Sequence, residues 1–235
     1  MEFGEICLKT WRDYRKRCLS LLGISFYSMI LFFIFFYVLI ITKELGSIIS
    51  FLLSIFYIII QIGVISSCFK IAKDEKIRFS DLFIGFSKKI GKLLLIEILH
   101  RWIVFLWGLA LVIPGVVKRI AYSQIFYIFL EKPYLKVSEC LKESDELMNG
   151  YKTSYFKIEF LLGIIFILFI LPLISLTEQI ENIYFIGDYA GELIFSIAGF
   201  IFFPIYNLFR ANIYIAIVKD RAEEIQEEPE LKIAG

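Results

Sequence analysis

Ionisable and hydrogen-bonding residues are scarce inside the long apolar stretches of this 235-residue chain, so the few that occur there are its first candidates for chemistry. Glu97, His100 and Arg101 fall at i, i+3 and i+4 and would share one face of a helix. Tyr206, Asn207, Arg210 and Tyr214 share another, with Arg210 about 13 Å from Lys219 at helical rise, too deep for easy escape to water. Arg119, Ser123 and Tyr127 recur at every fourth residue beside Lys118. Such groups inside a membrane face a partner or a water-filled cavity, because an unpaired charge in hydrocarbon is expensive. Depth places both Glu97 and Arg210 in the cytoplasmic half, and their pairing is expected. Each constellation also has a plain structural reading: snorkelling of Glu97, His100 and Arg101 to the interface, interhelical hydrogen bonding by the Arg210 face, and simple packing by the Arg119 row.

These residues suit three kinds of function. An excess of arginine over carboxylate matches an anionic lipid headgroup, or a membrane protein partner, without any reaction. A polar interior between helices would instead serve a small-solute transporter or exporter. An enzyme would use Glu97 and His100, but no Walker, GxSxG or HExxH string accompanies them. The single histidine has no cysteine or second histidine at ligand spacing, so neither a metal nor another cofactor is expected, and the preferred reading is non-enzymatic.

The elements that must hold these groups are membrane helices. Hydrophobic residues make up 59% of the chain and mean hydropathy is +0.75, above the roughly 45–50% apolar usage of soluble domains. Uncharged runs at 19–42, 45–69, 160–177 and 193–209 approach the length that spans about 30 Å of hydrocarbon. None alternates apolar with polar residues, which sets aside a β-barrel. The fold class is therefore all-α, a polytopic membrane bundle of six spans at about 19–42, 45–69, 93–113, 116–131, 158–177 and 193–218, in a single domain with a mobile charged tail at 219–235. The fourth is short: sixteen residues cover about 24 Å, so it either crosses with Lys118 and Arg119 snorkelling outward or is re-entrant.

Charge gives the orientation. Of 25 lysines and arginines, 20 lie in the segments that six spans leave inside, and residues 178–192 carry four acids and no Lys or Arg. Both termini are expected in the cytoplasm of a bacterial cell membrane. Residues 1–18 would form an interfacial helix with Phe3, Ile6, Cys7, Trp11 and Tyr14 toward lipid. Ser80 and Ser138 can cap two further cytoplasmic helices, with Asn149-Gly150 stopping the second. Cys7, Cys18, Cys68 and Cys140 all fall near this face and should be free thiols. The net charge of +1 implies no attraction to nucleic acid. A basic or amphipathic segment followed by a hairpin occurs three times, at 1–69, 70–131 and 132–218, the rhythm of parallel repeats without detectable identity between units.

Three strings carry a family resemblance: FSDLFIGF at 79–86, LWGLALVIPGVVKRIAYSQIFYIFLEKP at 106–133 and LKESDELMNGYK at 141–152. In them the chain resembles the bacterial integral membrane proteins catalogued as domain of unknown function 975. Ser144, Leu147, Met148, Gly150 and Lys152 match that family's last string, Tyr151 stands where it often has His, and Pro204-Ile205-Tyr206 replaces its usual Pro-Tyr. The resemblance implies a bacterial cytoplasmic-membrane protein and supplies no reaction. Partners then expected are membrane lipids, anionic ones included, a membrane protein, or a second copy of the chain.

Overall fold

The computed structural model describes the backbone of residues 3–41, 46–86, 90–110, 112–181 and 187–233, and side chains chiefly within 4–30, 55–84, 91–109, 113–172 and 202–224. Among the described residues the ordered elements are all helical. They run α1 (Phe3–Lys16), α2 (Cys18–Ile41), α3 (Gly46–Ala72), a 3-10 helix (Phe79–Phe86), α4 (Ile90–Ala110), α5 (Val112–Ala121), α6 (Ile125–Glu131), α7 (Val137–Leu147), α8 (Lys152–Glu181) and α9 (Gly187–Ile233). The linker at Lys43 and Glu44 lies outside the described residues.

The last helix, α9, is the axis of the bundle and touches α1, α2, α3, α7 and α8. On one side Leu208, Ala211 and Tyr214 close a core with Leu21, Cys68, Ile96, Ile125 and Ile128. On another, Phe209, Ile213 and Ile217 pack on Ile6, Met148, Tyr155 and Ile158. All four cysteines are free, with Cys68 and Cys140 buried in the first core.

Among the described residues one segment, Lys152–Pro172 of α8, is long and apolar enough to cross a membrane, with mean hydropathy 2.2 and only 17% of its window buried. Cys18–Tyr27 and Ile58–Ala72 are shorter apolar pieces. The α8 surface exposes Phe160, Ile165, Ile167, Leu168 and Leu171, side chains that a protein in water would have to bury.

Several sequence expectations change. Pro114-Gly115 does not end the outward helix: α4 stops at Ala110, and Pro114 sits in the first turn of α5, where a missing N–H leaves no intrahelical bond unmade. Gly115 instead allows close approach, since a Cβ there would come within 2.8 Å of the Gly108 Cα on α4. The run 116–131 is not one helix, because the chain breaks at 122–124 between α5 and α6. Two carbonyls released at that break find partners: Ala121 O accepts the Ser144 hydroxyl at 2.8 Å and Ser123 O accepts Arg210 at 3.0 Å.

Capping also differs. Asp81, not Ser80, holds the start of the 3-10 helix by accepting the Arg78 N–H at 2.8 Å, and it reaches Lys70 at 2.8 Å. Burial, the largest single influence, pushes the Asp81 carboxyl up, but the two contacts together hold it below its ordinary range. Helix α7 begins before Ser138, with Glu139 accepting the Lys136 N–H at 2.7 Å. Its expected inner face is buried through Cys140, Ser144 and Met148, and Gly150 turns the chain at φ +85°. The tail is not loose at its start, because α9 stays helical through Ile233 and docks on the α7–α8 turn. There Tyr151 donates to Asp220 at 2.8 Å and Arg221 donates to Asn149 O. Burial first, and then Asp220, push the Tyr151 phenol up to about 12.

Helix α1 turns its Ile6, Thr10 and Asp13 row inward, so Ile6 meets protein instead of lipid. Leu8 and Trp11 face outward beside Arg12 and Arg15, an arrangement suited to a membrane surface. Asn212 Nδ2 donates to Thr10 Oγ1 at 3.1 Å and to Asp13 Oδ2 at 3.2 Å, while Asn212 Oδ1 is buried without a partner. Burial raises the Asp13 carboxyl above its ordinary value of 3.8. A raised acid stabilises the docked state below its unfolded value, and that contribution is lost as pH rises through the folded value. Asp13→Asn should therefore hold α1 more tightly at neutral pH, because the introduced amide can still accept from Asn212 and can also donate to Asn212 Oδ1. Hydrogen exchange across residues 3–16 checks this: slower exchange in D13N at pH 7 and a narrower gap at pH 4 are expected.

Candidate functional site

The break between α5 and α6 sets the site. It leaves Arg119 at the end of α5 and Ser123 in the turn, both against α8 and α9. From α8, Tyr155 and Glu159 are one turn apart, so the Tyr155 hydroxyl donates to Glu159 Oε1 at 2.9 Å. From α9, Tyr206 and Arg210 are likewise one turn apart. Tyr206 donates to the same Oε1 at 3.0 Å, and the Arg210 guanidinium stacks over the Tyr206 ring at 5.6 Å.

Glu159 is the hub of this arrangement. Its Oε2 accepts Arg119 Nη2 at 2.5 Å, and its Oε1 lies 4.0 Å from Arg210 Nε. Arg210 donates to the Tyr155 hydroxyl at 3.1 Å and to Ser123 O at 3.0 Å. The Glu159 and Arg210 side chains are 11% and 22% exposed, so their charges are shielded from water, whereas Arg119 is 57% exposed and open to the surface. Next to this layer Tyr127 stacks on Tyr214 with ring centres 5.3 Å apart and leans on Phe69 at 5.1 Å.

The remaining candidates separate. Glu97 takes Arg101 of its own helix at 2.5 Å, and Arg210 takes Glu159, so the expected Glu97–Arg210 pair does not form. Glu159 is available one helical turn beyond Tyr155 on a neighbouring helix, which leaves Glu97 to its i,i+4 neighbour. His100 Nε2 is buried without a partner. Asn207 donates to Phe203 O within α9 at 2.9 Å. Lys118 does not reach outward: it pairs with Asp145 of α7 at 3.2 Å, which also takes Lys152 at 2.6 Å. Lys152 first, then Lys118, hold the Asp145 carboxyl below its ordinary range, in opposition to its partial burial.

The chain matches no family model, no curated protein and no solved structure. Its site must be read from its own atoms. Both Glu159 oxygens are engaged by arginines and phenols, so the carboxylate is fully occupied within the protein. No group of three or more His, Cys, Asp and Glu residues among the described ones could hold a metal ion.

Sequence reasoning missed Glu159 and Tyr155. The signal was present in YFKIEF, a tyrosine and an acid at i,i+4 entering the fifth apolar run. Counting only Glu97 as an intramembrane acid hid it. Beside the hub, α5 and α8 leave a groove of about 330 Å³, walled by Val116, Phe160, Gly163 and Ile167, with Arg119 and Glu159 toward one end and Ile120 and Phe156 beyond them.

Proposed function

We propose that this protein resides in the bacterial cytoplasmic membrane with both termini inside, and binds a membrane component instead of transforming a substrate. The observation that carries this is the α8 surface, a 21-residue apolar segment whose side chains lie largely outside the protein core. Burying a Leu, Ile or Phe side chain is worth about 1.5–3 kcal/mol, so this surface requires an apolar surrounding. Helices α2, α3, α8 and α9 cross fully, while α5, ten residues long, is too short to cross and pairs with α4 in a hairpin entered from the cytoplasm. Kinship with the domain of unknown function 975 family rests on the three strings at 79–86, 106–133 and 141–152. The second and third of them meet in space, through Ser144 with Ala121 and Asp145 with Lys118.

The bound component is an anionic lipid, or a membrane protein that presents an acid, because two arginines share one buried carboxylate. A solute path is less well supported, since Tyr127, Tyr214 and Phe69 stack next to the polar layer. Reporter fusions test the placement: those at residues 75, 145 and 225 should read as cytoplasmic and one at 183 as external. A cytoplasmic signal at 183, or an external one at 145, overturns it.

A further inference from the structure

We propose that the groove between α5 and α8 holds one anionic phospholipid of the cytoplasmic leaflet, its headgroup on Arg119 and an acyl chain along Gly163. This rests on the membrane placement above and adds the ligand, the leaflet and the residues. The groove volume of about 330 Å³ falls within the roughly 300–1,000 Å³ of ligand pockets. It opens sideways: Phe160, Ile167 and Val116 are 60%, 53% and 37% exposed, so its walls meet lipid and not water. Between Glu159 and Ile167 it extends about 12 Å at helical rise, close to the roughly 15 Å that one leaflet of hydrocarbon supplies.

Polarity fixes the direction of the occupant. The charged pair of Arg119 and Glu159 lies in the half nearer the cytoplasm, seven residues or about 10 Å above Lys152 at the foot of α8, with Phe156 one turn below it. At that end Arg119 and Arg210 stand against Glu159, an excess of one positive charge. Arg119 commits one N–H to Glu159 and is 57% exposed, so its planar fork retains donors for a phosphate. A headgroup with one negative charge matches this end, and a chain without polar atoms matches the other. A transmembrane helix from a second copy or another protein would cover the apolar walls but would have to place an acid at this one depth to do the same.

Gly163 is the diagnostic position. A Cβ built there meets nothing within 4 Å, so a side chain can start there and occupy groove volume, and replacing glycine favours the helix. Purified protein should be exchanged into nanodiscs of palmitoyl-oleoyl phosphatidylglycerol or of the matching phosphatidylcholine, then released for native mass spectrometry. The wild type should retain one phosphatidylglycerol and little phosphatidylcholine. Gly163→Phe should lower that retention by about tenfold or more, and Arg119→Gln by about tenfold, the scale of one lost charge-assisted contact. Leu168→Phe, exposed on α8 away from the groove, should leave it unchanged. Val116→Phe fills the groove from the α5 wall and should repeat the G163F result, which guards against misfolding of either variant.

Wild-type retention in G163F and V116F overturns the proposal, as does equal retention of both lipids. A dimer that G163F dissociates would give the groove to a second copy and likewise overturn it. Absence of bound lipid in a wild type whose fusion at 183 reads external would remove this site and leave the membrane placement standing.

Discussion

Glu159→Gln is expected to destabilise the protein in detergent by about 3–5 kcal/mol, the range for removing one member of a buried ion pair. Four donors converge on this carboxylate: Arg119, Tyr155 and Tyr206 directly, and Arg210 at 4.0 Å. Glutamine offers one oxygen and one NH₂, so at least one arginine would face a donor. Arg210 would suffer most, since it is mostly shielded and its other partners are a neutral phenol and a backbone carbonyl. Arg119 can turn to solvent, and its share should be no more than about 1 kcal/mol. By the same reasoning Glu97→Gln should cost only about 0–1 kcal/mol, because its partner Arg101 is 68% exposed. In a double-mutant cycle, E159Q with Arg210→Gln should cost well under the sum of the single changes, whereas E97Q with R210Q should be additive. Chemical unfolding followed by circular dichroism reads these losses. A Glu159 effect as small as that of Glu97 would show that the hub is not a buried pair.

The helices were legible in the sequence because long uncharged runs and basic flanks follow from the solvent alone, and α2, α3, α8 and α9 lie where those runs lie. So was the inner face of α7, since Cys140, Ser144 and Met148 recur at helical spacing and Asn149-Gly150 marks its end. The site was only half legible. Arg119, Ser123, Tyr206 and Arg210 stood out as polar groups in apolar surroundings, and the structure gathers them. Glu97 and His100 stood out for the same reason but were left apart from Glu159, because periodicity places residues on a face without saying which helix that face meets. The break at 122–124 was hidden as well: RIAYSQIFY contains neither glycine nor proline, and the turn is stabilised by Ser144 and Arg210, which are 21 and 87 residues from Ser123 in sequence.

A cysteine placed at Ile113 should resist a membrane-impermeant maleimide added outside intact cells, while one at residue 183 should react fully. Measured from the Glu159–Arg210 layer, α8 rises through eighteen residues to Thr177, about 27 Å, and α9 through seventeen to Leu193, about 26 Å. From Arg119, which meets the same layer, α5 rises only about 10 Å to Val112, so its tip falls roughly 15 Å short of the outer boundary. Composition agrees with this height. From Trp102 to Val117 the chain carries no charged residue, and the residues nearest the turn, GLALVIPG, include no polar side chain, whereas a loop emerging into water would carry some. The close contact of Gly115 with Gly108 holds α4 and α5 together without polar groups between them. The native thiols do not obscure the result, because Cys68 and Cys140 are buried and the proposed placement puts Cys7 and Cys18 on the cytoplasmic side. External labelling at 113 equal to that at 183 would mean that the hairpin crosses completely and that six full spans are the correct topology. Labelling at 113 only after permeabilisation with a small reagent would establish that the hairpin stops short of the outer boundary and place the α5–α8 groove in the cytoplasmic leaflet.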